Sequence, residues 1–164
     1  MGCSDDTRAG TPPVPPPLQP FCLRLHHDAS WTHEGAPILH RKLRERFDRS
    51  VRYLPEEAKY VVQIGKFQGQ IELEEAGFFV RSFDPATGAI ALSDGSEESL
   101  AVASLGTSER DGALLCRVKR ELVAGGLLAR FQHAAQSEFM NAVEAGSAGT
   151  AVRIAGALQP LPPL

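Results

Sequence analysis

The sequence lacks the features that announce most classes of protein. No run approaches the roughly 18 apolar residues of a membrane helix, so no membrane span is expected. The first residues have no apolar core of a secretory signal. Positive charge is not in excess: 17 Lys and Arg face 20 Asp and Glu, for a net charge of -3. That balance argues against a diffuse nucleic-acid binder, which carries surplus cations. Cysteine is scarce, with only Cys3, Cys22 and Cys116, an odd number at irregular spacing. Neither a disulfide framework nor a CxxC zinc or redox pair fits that pattern. Free thiols in a reducing, cytoplasmic setting are expected, with Cys22 and Cys116 serving as small hydrophobes in strands.

Catalytic motifs are missing too. There is no Gly-x-Ser-x-Gly elbow. The segment Gly65-Lys66-Phe67-Gln68-Gly69 has no Lys-Ser/Thr pair to cradle phosphate and reads as a hairpin turn. Glu74-Glu75 and Glu97-Glu98 are adjacent in sequence, so on strands each pair would face opposite sides and could not work as an acid–base dyad. No cofactor is implied, and no enzyme activity.

What is present is a globular composition, 43% hydrophobic and 23% charged, between two proline-rich ends. Pro12 to Pro20 and Pro160 to Pro163 hold nine of the twelve prolines. Proline fixes φ and removes a backbone donor, so residues 1–20 are expected to be disordered and 160–164 to form an extended tail. Between them, two α+β subdomains are expected, over 21–106 and 107–159.

Phe21 to His26 alternates apolar and polar residues as a strand does, and Ser30 to His33 makes a second strand after a turn. Leu39, Leu43, Phe47 and Val51 recur every four positions and predict an amphipathic helix over 38–53. Alternating runs at 60–64, 71–73, 78–83, 90–92, 100–102 and 113–118 are separated by turn residues, notably Asp94-Gly95. Their regular succession predicts antiparallel sheets. Leu128, Phe131, Ala135, Phe139, Ala142 and Val143 predict a second helix, stopped at Ala145-Gly146. Ala151 to Leu158 predicts a closing strand. No repeat shows by residue identity, yet strands around one helix occur in each half.

Two polar clusters stand out. His26, His27, Asp28, His33 and Glu34 surround Trp31 and precede Pro37, which suits the first turn of a helix. Polar and aromatic groups beside a helix start suggest a ligand site at Trp31, His33, Glu34 and Gly35. A metal-dependent hydrolase using His26, His33 and Glu34 is the sharper alternative, but no HExxH-like spacing supports it, and no metal site is assigned. The second cluster, Arg41, Lys42, Arg44 and Arg49, offers an anion site for phosphate or nucleic acid. Its bland counterpart is a solvated helix face with pairs such as Arg41 and Glu45.

The order of motifs resembles the bacterial family known as domain of unknown function 1285. The resemblance begins at Trp31-Thr32-His33-Glu34-Gly35-Ala36-Pro37-Ile38 and the helix after it. It continues at Tyr60-Val61-Val62 and at Ile71 to Val80, where Gly77 stands at a position the family tends to fill with Pro. It resumes at Gly125 to Arg130 and closes on Val152 to Ala157. It implies a two-part α+β fold with a repeated helix-plus-sheet motif. It implies no established enzyme activity, and a role in ligand sensing or signalling. The sequence thus leads to a non-enzymatic binding or regulatory module whose partner is a small molecule or a protein.

Overall fold

The computed structural model of the chain describes residues 19–164. The disorder expected of the proline-rich segment therefore lies outside the described residues as far as residue 18. The chain divides into two compact units, one ending at Glu75 and the other running Ala76–Leu164.

In the first unit, β1 (Gln19–Leu25), β2 (Trp31–His33) and β3 (Ala36–Pro37) form one antiparallel meander. Helix α1 (Arg41–Ser50) follows, then a second meander of β4 (Val51–Leu54), β5 (Lys59–Ile64) and β6 (Phe67–Leu73). The two meanders join where β1 runs parallel to β6, giving the order β3-β2-β1-β6-β5-β4. Leu23, Leu25, Trp31, Val51, Val61, Val62 and Ile71 are buried.

The second unit repeats that sheet. β7 (Phe78–Asp84), β8 (Ala89–Leu92) and β9 (Glu97–Ser99) form a meander. A turn of 3-10 helix, Val102–Ser104, leads to β10 (Gly106–Thr107), β11 (Leu114–Val118) and β12 (Leu127–Phe131). Again the first and last strands pair in parallel, β7 with β12, in the order β10-β11-β12-β7-β8-β9. Helix α2 (His133–Asn141) follows and packs on β7, with Phe139 edge-on to Phe83 and Phe131 at 5.4 and 5.8 Å. A small antiparallel sheet of β13 (Val143–Gly146), β14 (Gly149–Ile154) and β15 (Ala157–Pro160) ends the unit.

The α+β class with two helices stands, with five corrections. The large sheets are mixed, not purely antiparallel, because each closes its meanders through one parallel pair. The repeated motif is the six-stranded sheet; α1 lies between its third and fourth strands, whereas α2 follows the sixth. Helix α1 spans 41–50 rather than 38–53, since β-branched Val51 opens strand β4. Leu128 and Phe131 lie on β12, so α2 starts only at His133, and Ala145-Gly146 lies within β13. The expected closing strand is a hairpin, turned at Ala155-Gly156 with φ of 51° and 79°.

The free thiol expected at Cys116 is observed, and the residue is buried. Burial pushes that thiol up to about 12. Cys22 differs: it is disulfide-bonded, and it sits in the left-handed region at φ 54° where β1 slips register against β6. Among the described residues, no helix is long and apolar enough to cross a membrane.

Candidate functional site

The residues singled out around Trp31 divide between the core and the surface. Trp31 is buried at 1% exposure. Its indole N–H donates to Asp48 Oδ1 at 2.8 Å, and its ring leans on Phe47 with centroids 5.4 Å apart. This tryptophan ties α1 to the sheet. His33, Glu34 and Gly35 are exposed. Glu34 and Gly35 form the two-residue loop between β2 and β3, and both have positive φ, 51° and 84°, the twist such hairpins favour. The turn's own N–H from Glu34 donates to Cys22 O at 3.0 Å.

His26 and His27 converge instead on Glu74, a residue that the sequence pattern did not connect with them. A carboxylate only accepts, so each imidazole donates from Nδ1: His26 to Oε2 at 3.1 Å and His27 to Oε1. The His27 backbone N–H adds a bond at 3.2 Å, and Arg24 Nη2 lies 3.9 Å away. His26 Nε2 meets the Thr32 hydroxyl at 2.9 Å. The hydrogen bonds from His27 and then His26 hold the Glu74 carboxyl down at about 2. Only the parallel register, Leu25 opposite Leu73, brings Glu74 to this loop. This cluster fastens the β1–β2 turn. Among the described residues, no three His, Cys, Asp or Glu side chains are placed to hold a metal ion, so His26, His33 and Glu34 do not assemble as the hydrolase alternative requires.

The basic candidates lie on α1. Arg41 Nε donates to Glu45 Oε1 at 2.9 Å, one turn along. Lys42 and Arg49 are exposed. Arg44 is half-buried, with its Nε hidden and without a hydrogen-bond partner.

A third place combines shape with polar groups. In the second unit a cleft of about 460 Å³ opens between the end of α2 and the small sheet. Glu138 and Asn141 stand one turn apart on α2 and line one wall, with Ala142 beyond them. Glu144 of β13 and Arg153 of β14 form the other, and the Pro85-Ala86 turn and Gly156 close the ends. The second wall is held rigidly. Arg153 Nε and Nη2 donate to the two Glu144 oxygens at 2.5 and 3.2 Å, and Nη1 donates to Gly156 O at 3.1 Å. That bidentate bond from Arg153 keeps the Glu144 carboxyl below its ordinary range. The Ala155 N–H donates to Pro85 O at 2.9 Å, and the Arg153 N–H to Ala142 O at 2.9 Å, fixing sheet, turn and helix around the opening. The Glu138 and Asn141 side chains make no hydrogen bond among the described residues and line the cleft uncommitted. Spacing on α2 could have revealed that pair; Glu144 and Arg153 needed the hairpin register.

Taken together, the chain is an α+β protein built on two copies of one mixed six-stranded sheet, with an open cleft in its second unit. Two solved structures share this fold. A DUF1285 family protein from Silicibacter pomeroyi DSS-3 superposes with a TM-score of 0.60 at 15% identity, over 87% of this chain and 80% of that one. A DUF1285 family protein from Shewanella baltica OS155 gives a TM-score of 0.51 at 15% identity, over 74% of this chain and 91% of that one. No protein-family model matches the chain, and no curated protein matches it significantly. The structural likeness agrees with the family resemblance read from the motif order, and at this identity it is a likeness of fold.

Proposed function

We propose that the protein is a non-enzymatic ligand-binding module, regulatory in role, and that its ligand enters the cleft of the second unit. The observation that carries this reading is an open cavity with one rigid ion-paired wall and one wall of two uncommitted polar side chains. Such a combination of concavity and convergent polar groups is the usual mark of a small-molecule site. The lining includes no Ser, Cys, His or Lys to act as nucleophile or base. The Arg153 bond keeps Glu144 ionised, the opposite of the shift a general acid needs.

The free Glu138 carboxylate selects a ligand with a cationic nitrogen, and the Asn141 amide can take either a donor or an acceptor beside it. Thermal-shift measurements with L-arginine, spermidine and their uncharged analogues test the reading. A ligand at 100 times its dissociation constant adds about 2.7 kcal/mol, which is several degrees for a chain of this size. Stabilisation by a cationic compound, lost in Glu138→Gln and kept in His33→Ala/Glu34→Ala, is expected. Loss in the hairpin variant instead would move the site to the turn after Trp31. No stabilisation by any of these compounds would remove the cationic-ligand reading.

A further inference from the structure

We infer that the outward face of α1 docks on an anionic membrane surface. The helix carries five cations and two carboxylates in its ten residues, on a chain whose net charge is -3, so it is a basic patch on an acidic molecule. Both carboxylates are engaged within the fold, Glu45 with Arg41 and Asp48 with the Trp31 indole. Lys42, Arg46 and Arg49 follow at intervals of four and three residues, which places them on one side, and all three are exposed.

Charge alone would suit any polyanion. The second observation is apolar. Leu39 is 81% exposed and Leu43, four residues on, 40% exposed, beside this basic face. No residue of α1 is fully buried. Phe47 makes the helix's ring contact with Trp31, while Leu39 stays largely in solvent and Leu43 partly so. Exposed Leu39 just before the helix and Leu43 on its first turn, edged by Lys and Arg, match an interfacial segment, whose apolar side chains enter the acyl boundary while cations meet lipid phosphates. A nucleic acid offers exposed leucines nothing comparable.

Vesicle co-sedimentation of the full chain decides this, using phosphatidylcholine with about one third phosphatidylglycerol against phosphatidylcholine alone. Binding to the anionic vesicles, weakened by added salt and absent on neutral ones, is expected. Replacing the three cations in Lys42→Gln/Arg46→Gln/Arg49→Gln should weaken partitioning roughly a hundredfold. Leu39→Ser/Leu43→Ser should weaken it about tenfold or more. All five side chains are exposed, and circular dichroism confirms that the variants fold. Failure to bind anionic vesicles at low salt overturns the proposal. So does vesicle binding unchanged by the leucine variant, which would mark a merely electrostatic contact, or tighter binding to a duplex oligonucleotide than to the vesicles.

Discussion

Trp31 shows how one side chain can be conspicuous in the sequence and still serve the core. Its indole is buried on Phe47 and bonded to Asp48, so it joins helix to sheet. Trp31→Ala should cost about 3–5 kcal/mol in chemical denaturation, the usual toll for emptying a large aromatic site. Glu74 works differently, by collecting donors from two imidazoles and a backbone N–H. Its folded-state value of about 2 lies below its ordinary 4.5. A carboxylate so depressed contributes stability that is complete above 4.5 and is lost as pH falls through about 2. Wild-type stability should therefore decline over that window, and Glu74→Gln should be less stable at neutral pH with a flatter acid limb. An unchanged slope in pH-dependent urea unfolding would contradict the assignment.

At the scale of elements, local pattern was legible and pairing was not. Leu23 and Leu25 alternate as strand residues and are buried as such, and Asp94-Gly95 does turn the chain after β8, although the returning strand is Glu97–Ser99 and not the expected 100–102. Val51 and Leu128 misled because one strand residue can extend a helical spacing by chance. Parallel closure of each sheet could not be read, since β1 and β6 meet across more than forty residues. The cleft's second wall was hidden for a more local reason: the sequence pattern places Glu144 on the second helix, and only the β13–β14 hairpin brings it to Arg153, nine residues on.

Long-range contacts also hold the connections in place. Lys119, at φ 57°, donates from Nζ to Asp94 Oδ2 at 2.6 Å and to Ser96 Oγ at 2.8 Å, over the Phe78 ring. Burial works against ionising Asp94, but the bonds from Lys119 and Ser96 outweigh it and leave its value lowered. Lys119→Met strands a buried carboxylate and should cost about 3–5 kcal/mol, most of it recovered by adding Asp94→Asn. Gly88 is at φ +80°, and a Cβ there would lie 2.7 Å from Ile154 Cγ2. Gly88→Ala should lower stability by about 2–4 kcal/mol, from backbone strain and overpacking together. Combined with Ile154→Ala it should cost less than the sum of the two, because the clash is then gone.

Across the whole molecule, one sheet topology is used twice and elaborated differently. The first unit inserts a basic helix between its meanders; the second spends a 3-10 turn there and adds α2 with a small sheet. The two readings of function follow those additions and not the shared sheet. The cleft lies where α2 meets the added hairpin, and the surface proposed to meet a membrane is the inserted helix. On both proposals the repeated scaffold says nothing of activity, because each proposed site rests on what its copy gained. The most direct test of the cleft is amide chemical-shift mapping by NMR during titration with L-arginine and spermidine. The account predicts perturbations gathered at residues 85–86, 138–144 and 153–156, with 31–35 unmoved. Perturbations centred on the turn at 33–35, or scattered over the acidic surface without saturation, would contradict it.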